Sequence, residues 1–177
     1  MTTELRDELL SNGVRVITEH NSTSNSVSLG LWMNVGSRDE GDQLWGCSHF
    51  LEHLLFKGTE TRSSKEISSA LENLGGHLNA FTDRDMTVFS SRVLSRDQDI
   101  ATELLSDILE NSLLRKEDIE MERQVILEEI RQTWDDPTSL IHELYAENIW
   151  QGNPVAHPIA GTIETISKMQ TEAARAL

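Results

Sequence analysis

The chain has 177 residues, and its 15 Lys and Arg residues are outnumbered by 30 Asp and Glu residues, which leaves a formal net charge of −15 at pH 7. Because a nucleic-acid-binding protein needs a basic surface for the phosphate backbone, this charge argues against that function. No apolar stretch approaches the roughly 18 residues of a membrane span, so no membrane partner is expected. The length suits one domain.

Cysteine content and the N-terminal sequence bear on the cellular compartment. A single cysteine, Cys47, excludes an internal disulfide and a multi-cysteine zinc or iron–sulfur cluster. The N-terminal residues show neither the apolar core of a signal peptide nor the arginine-rich, acid-poor character of a transit peptide. We therefore expect a cytoplasmic protein.

Four segments show strand patterns. The turn sequence Ser-Asn-Gly at 11–13 lies between two short extended segments, which predicts a β-hairpin. Apolar residues then alternate over 26–35, and this period of two is typical of a strand with one buried face. A similar alternation over 86–94 predicts a further strand.

Helical patterns fill most of the remaining chain. The predicted helices span residues 44–57, 63–75, 98–114, 117–134 and 138–150. We expect the first to end at Gly58, the second to begin with a capping box formed by Ser63 and Glu66, and the last to follow Pro137 as its first residue. This order of elements predicts an α+β fold in which an antiparallel-rich sheet packs against a layer of helices.

The pentapeptide His-Phe-Leu-Glu-His at 49–53 lies inside the first predicted helix. Its two histidines, His49 and His53, are four residues apart and share a helix face with Glu52. Two imidazoles in this arrangement can bind one zinc ion, and the glutamate is close enough to reach a water on it. The alternative is a pair of core histidines with satisfied hydrogen bonds. Cys47 points away from this face and is expected in the core.

A catalytic zinc site usually has three protein ligands, so a third must come from elsewhere. On the helix at 117–134, Glu122 and Glu129 lie about −40° and −60° from Ile126 and so within the apolar arc, whereas Glu128 lies at about 200°. Glu129 is therefore the better ligand candidate, and Glu122 could support a ligand by a hydrogen bond. The alternative is a helix whose edge carboxylates pair with lysines.

These residues resemble the inverzincins of the pitrilysin and mitochondrial processing peptidase type, the M16 peptidases, and Glu129 follows His53 by 76 positions. The likeness is greatest to their bacterial processing-peptidase-like branch and covers nearly the whole chain. It includes the segments Gly13–Val16, Gly36–Glu40, Phe56–Thr59, Gly75–Thr82 and Asp135–Pro137.

The resemblance implies roles for five site residues. His49, His53 and Glu129 would bind one zinc ion per chain. Glu52 would be the general base, and Glu122 would be the supporting acid. The implied activity is that of a zinc metalloendopeptidase that hydrolyses extended peptides or presequences.

The resemblance also concerns the substrate and the domain organisation. It implies that Asn79, Ala80 and Phe81 form an edge strand that pairs with an extended peptide. Residues 1–177 would form a single N-terminal catalytic domain that lacks its last strand and the second homologous domain, which a partner subunit could supply. The alternative function is a catalytically silent module that binds zinc or peptide. The tryptophans are expected in the core: Trp32, Trp45, Trp134 and Trp150.

Overall fold

The computed structural model describes residues 3–170. The regular elements of this part of the chain are β1 (Thr3–Leu9), β2 (Arg15–Asn21), β3 (Ser26–Met33), α1 (Cys47–Leu55), α2 (Ser64–Glu72), β4 (His77–Thr82), β5 (Thr87–Leu94), α3 (Gln98–Asn111), α4 (Lys116–Asp135), α5 (Pro137–Ile149) and α6 (Ile163–Lys168). Short 3₁₀ turns occupy 37–39, 95–97 and 154–156. Helices and an antiparallel sheet thus form the predicted α+β fold.

The sheet has the strand order β3-β5-β4, and both pairings are antiparallel. Leu31 of β3 and Ala80 of β4 are both opposite Phe89 of the central strand, so these three residues form a row across the sheet. Strand β4 is an edge strand within the described residues. Strands β1 and β2 form a separate hairpin, and β2 and β3 line a cleft of about 820 Å³.

The predicted turn and cap residues adopt the expected conformations in three places. Gly13 has a positive φ of 90° in the turn between β1 and β2. Ser63 and Glu66 form the capping box at the start of α2, because each side chain accepts a hydrogen bond from the other residue's backbone N–H. Pro137 is the first residue of α5, and the side chain of Asp136 accepts hydrogen bonds from the helix N-terminus.

The helix of the pentapeptide is shorter than predicted. It begins at Cys47, directly after Gly46, which adopts a left-handed φ of 90° and lies against the backbone of Ala160. It ends at Leu55 with Phe56 as the C-terminal cap, so the prediction that Gly58 caps this helix is wrong. Gly58 has a φ of 139° and instead forms an isolated bridge with Ser63.

Two hydrophobic clusters pack against different parts of the surface of α1. One joins α1 to α4 and α6 and contains Cys47, Phe50, Leu54, Ile119, Ile126, Leu127, Ile130, Ile166 and Met169. The other joins α1 to the sheet, α2 and α3 and contains Leu55, Ile67, Leu71, Phe89, Val93, Ala101, Leu104, Leu105 and Ile108. Packing on two sides explains why this helix is apolar around most of its circumference.

The expectation of four core tryptophans is wrong for three of them. Trp32 is 65% exposed, Trp134 is 67% exposed and Trp150 is 49% exposed. The alternation of β3 places Leu31 and Met33 on the buried face, so the residue between them must face outward. Trp45 is half-buried and stacks on His157. Within residues 3–170, none of the helices has the length and hydrophobicity needed to cross a bilayer.

Candidate metal centre

The carboxylate of Glu40 fixes the start of the helix that carries the pentapeptide. Its two oxygens each accept a hydrogen bond from the first turn of α1, at 2.7 Å from the Gly46 N–H and at 2.7 Å from the Ser48 N–H. Glu40 is 5% exposed, and this burial raises its pKa, although the bonds from Ser48 and Gly46 partly offset the rise. The orientation of α1 is therefore held by a buried side chain as well as by apolar packing.

The three predicted ligand residues lie together. The Oε2 atom of Glu129 is 3.9 Å from Nε2 of His49 and 3.8 Å from Nε2 of His53. One ligand atom from each residue falls within 4.8 Å of the other two. The two histidines come from consecutive turns of α1 and the carboxylate from α4, so packing of these two helices brings the donors to one point.

The donor set fits a zinc ion. At 3.8 and 3.9 Å, the contacts to Glu129 are too long for hydrogen bonds, so direct bonding does not account for the arrangement. Ligand atoms about 2.0–2.1 Å from a tetrahedral zinc are about 3.3 Å apart, slightly closer than these. Two imidazole nitrogens and one carboxylate oxygen are also the donor types of catalytic zinc sites that keep one position open.

The environment of His49 favours its neutral form. Burial and the nearby charge of His53 lower the pKa of His49 to about 4. The ring is therefore unprotonated at neutral pH and keeps a lone pair for a metal ion. Its Nδ1 atom is buried without a hydrogen-bond partner in the described part of the chain.

Glu122 lies behind His53, on the side away from the other two ligands. Its Oε2 atom is 3.1 Å from Nδ1 of His53, and its Oε1 atom is 2.7 Å from Nζ of Lys57. The residue is 5% exposed. A carboxylate that accepts from the second ring nitrogen fixes the orientation and tautomer of a metal-binding histidine. The alternative considered from the sequence, a carboxylate paired with lysine, therefore also holds for Glu122.

Glu52 lies beside this cluster and contacts the edge strand. Its Oε2 atom accepts a hydrogen bond of 2.6 Å from the hydroxyl of Thr82, the last residue of β4. Burial raises the pKa of Glu52, the Thr82 bond and the charge of His53 lower it, and the charge of Glu129 raises it. A partly buried carboxylate with a raised pKa is a better proton acceptor than an exposed one.

The residues predicted to bind substrate lie in the same strand as Thr82. Asn79, Ala80 and Phe81 belong to β4, and Phe81 is 44% exposed. By contrast, Glu128 pairs with Arg131 on the outer side of α4, as its position on the helical wheel indicates. The arrangement combines a three-donor cluster, an adjacent carboxylate and an exposed strand edge.

Sequence reasoning assigned no role to Glu40, Lys57 or Thr82. Lys57 follows His53 by four residues, and this helical spacing could have suggested a shared face. Thr82 directly follows the predicted substrate strand. For Glu40 no local pattern points to the start of α1, because its contact depends on how the intervening loop folds.

Comparison with known proteins assigns the family. The family model described as insulinase, peptidase family M16, matches residues 15–163. An uncharacterized zinc protease of Streptomyces coelicolor is 42% identical over 171 residues, which cover 97% of this chain and 37% of the relative. The chain therefore belongs to the M16 peptidase family. It spans about 37% of the length of this relative.

Solved structures show the same fold. A protease from Helicobacter pylori superposes with a TM-score of 0.93 at 24% identity, over 99% of this chain and 42% of that chain. An M16 inactive domain from Pseudomonas fluorescens gives a TM-score of 0.88 at 18% identity, over 97% of this chain and 42% of that chain. Since a domain described as inactive shares the fold, the fold alone does not define an activity, and the site residues must carry that argument.

Proposed function

We propose that this chain carries the catalytic centre of a zinc metalloendopeptidase that hydrolyses extended peptides. His49, His53 and Glu129 are the proposed ligands of one zinc ion, and Glu52 is the proposed general base. The observation that carries this proposal is the convergence of three donor atoms within 4.8 Å of one another beside the partly buried carboxylate of Glu52. The relatives are described as zinc proteases, which supports zinc as the metal of this site.

The chemistry divides between the ion and the side chains. When bound, zinc would polarise the scissile carbonyl and lower the pKa of a coordinated water. Glu52 would take a proton from the attacking water and later deliver it to the leaving amine. The hydroxyl of Thr82, 2.6 Å from Oε2 of Glu52, would hold the carboxylate in place and leave Oε1 for the water. Glu122 would keep the His53 ring directed at the metal.

An extended peptide would bind along β4. The edge of this strand has no partner strand within residues 3–170, so its backbone groups can pair with another chain. The proposed contacts come from Asn79, Ala80 and Phe81. Backbone pairing supplies affinity whatever the side chains of the peptide are, so a broad sequence preference is expected.

The whole enzyme is proposed to contain a second M16-type domain or subunit. The solved protease from Helicobacter pylori is more than twice as long as the part this chain matches, at 42% coverage. Residues 1–177 would form one N-terminal domain, and a further strand would enter the cleft between β2 and β3. In such a protein the second domain would enclose the peptide against β4.

Zinc content and peptide hydrolysis test the proposal separately. The purified chain is expected to bind about one zinc ion per molecule. His49→Ala and His53→Ala should each lose it, as measured by metal analysis after gel filtration. Glu52→Gln should retain zinc but abolish cleavage of a fluorogenic peptide, alone or with the C-terminal half of a full-length relative added. Glu128→Gln is the matched control, because within residues 3–170 this exposed carboxylate pairs with Arg131 at the surface and lies outside the candidate metal cluster.

Two results would contradict the proposal. Full turnover by Glu52→Gln would remove this residue as the base. Zinc binding without hydrolysis, both by the chain alone and with the C-terminal half added, would instead favour a catalytically silent module. This is the second candidate function, and it is supported by the shared fold of the inactive Pseudomonas domain.

A further inference from the structure

Lys57 links the carboxylate of Glu122 to the end of α1. Its Nζ atom lies 2.7 Å from Oε1 of Glu122, while Oε2 of the same carboxylate lies 3.1 Å from Nδ1 of His53. The backbone N–H of Lys57 donates to the carbonyl oxygen of Leu54 at 3.0 Å, so the lysine continues the last turn of the helix. His53 of α1 and Lys57 of the turn directly after it thus contact the two oxygens of one carboxylate.

Because Glu122 is buried, the positive charge of Lys57 matters for the stability of this carboxylate. The side chain is 6% exposed, and a carboxylate so far from water needs a compensating charge and partners for its lone pairs. Lys57 is the only Lys or Arg within salt-bridge distance of it in the described part of the chain. A carboxylate bonded at one oxygen can turn about its terminal torsion, whereas bonds at both oxygens fix its plane.

We infer that Lys57 is a positioning residue of the metal centre and acts through Glu122. The ammonium group holds the carboxylate in the orientation that accepts the Nδ1–H of His53. With the proton on Nδ1, the lone pair of the ring is on Nε2, the atom 3.8 Å from Oε2 of Glu129. This inference rests on the proposed zinc site.

A purely structural salt bridge is the competing explanation. The Lys57 side chain is 31% exposed, and many partly exposed ion pairs add little to a protein. Such a pair would affect the unfolding of the chain without altering its affinity for metal. A positioning residue changes zinc affinity and the tautomer of His53, so these two quantities separate the explanations.

Zinc affinity is measured on the 177-residue chain by competition with a chromophoric chelator. Lys57→Met is expected to weaken zinc binding about tenfold, the lower end of the range for partners of ligand residues. Lys57→Arg should restore affinity to within about twofold of the wild type, since it keeps the charge and the donors. Lys65→Met is the matched control, because it removes one exposed lysine of α2, and it should leave the affinity unchanged.

A double variant tests whether the effect passes through Glu122. Glu122→Gln alone should weaken zinc binding, and Lys57→Met added to it should cause no further loss, because the two residues act in series. In the zinc-free protein, ¹⁵N NMR should show His53 of the wild type with its proton on Nδ1. In Lys57→Met the ring should become a mixture of both tautomers.

The possible results distinguish a failure of the role of Lys57 from a failure of the proposed zinc site. Unchanged zinc affinity in Lys57→Met, or equal losses in the Met and Arg variants, would overturn the role of Lys57 while leaving the zinc site intact. A wild-type chain that binds no zinc would instead overturn the proposed function. If circular dichroism shows that Lys57→Met is unfolded, Lys57→Gln takes its place, and the same weakening is expected.

Discussion

Helices α1 and α5 both carry many apolar residues, but their surroundings are opposite. In α1, Phe50 and Leu54 are completely buried in the hydrophobic cluster that joins this helix to α4 and α6. In α5, Ile141 is 57% exposed and Tyr145 is 63% exposed, and Ala146 is the only buried residue among the residues of that helix, 137–149. Two of the three candidate metal ligands, His49 and His53, are thus set in a firmly packed helix, whereas the apolar side chains of α5 are largely exposed. Precise side-chain geometry requires a packed support, which α1 has and α5 lacks.

The two helices are expected to differ most in how far the loss of a large side chain lowers the free energy of unfolding. Phe50→Ala should lower it by about 3–5 kcal/mol, because the substitution leaves a cavity between α1 and α4. Urea denaturation followed by circular dichroism measures the loss. A decrease below about 1 kcal/mol would mean that α1 is not the packed centre of the domain.

Metal removal is the next test, because it acts only on the region around α1. Free zinc at one hundred times its dissociation constant should raise the free energy of unfolding by about 2.7 kcal/mol, since the ion binds only the folded state. Adding a chelator should abolish the increase. In His53→Ala the zinc-dependent increase should be absent, whereas in Ile141→Ala, a change on α5, it should remain complete. Loss of the increase in the α5 variant would contradict the separation of the two regions.

Asp107, in α3, gives a pH-dependent test in the region where that helix contacts the segment that follows α1. Burial raises its pKa, but hydrogen bonds from Thr59, Asn111 and Arg62 outweigh this effect and lower the pKa to about 2. A carboxyl with a lowered folded-state pKa stabilises the protein above its unfolded pKa of about 3.9, and this contribution is lost as the pH falls toward 2. Asp107→Asn should therefore cost about 2 kcal/mol at pH 7 and progressively less below pH 4.

The control for Asp107 is Glu103, which also pairs with Arg62, at 2.7 Å, but is 70% exposed in its side chain. Glu103→Gln should change stability by less than about 0.5 kcal/mol at either pH. Thermal or urea unfolding at pH 7 and pH 3 measures both variants. A cost for Asp107→Asn that is the same at both pH values would refute the lowered pKa as its cause.

The smallest effect is expected on the exposed face of α5. Tyr145→Ala should change the free energy of unfolding by less than about 0.5 kcal/mol, because the ring is mostly solvated and alanine favours helix. The same urea experiment measures it. A loss comparable with that of Phe50→Ala would show that α5 packs against further protein in solution, and the contrast between the helices would disappear.

Much of the fold could be predicted because it depends on the pattern of residues that are close together in the chain. The two-residue alternation of β3, the capping box at Ser63 and the proline at the start of α5 each depend on residues close together in the chain. The same holds for the pair His49 and His53, whose spacing of one helical turn sets their common face. The helical wheel also separated Glu129 from Glu128 correctly, since orientation about one helix axis is a local property.

Other contacts could not be predicted because they join distant parts of the chain. Glu122 is 69 residues from His53, and Thr82 is 30 residues from Glu52. No short-range pattern states which side chains meet after the helices pack. The error for Trp32 has a different origin. Its large apolar side chain suggested the core, although the alternation of β3 already placed it on the opposite face.

The hydrogen bond between Thr82 and Glu52 fixes the position of the Glu52 carboxylate relative to the residues of β4. From Asn79 to Thr82 the strand advances three residues, or about 10 Å, along a backbone whose pairing permits only whole-residue shifts. A peptide laid against this edge would meet the carboxylate at a distance counted in peptide units from the strand itself. In the proposed peptidase, a shift of the peptide to the next equivalent pairing would carry the reacting bond about 7 Å past Glu52, so the register of the strand would set the cleavage position in discrete steps.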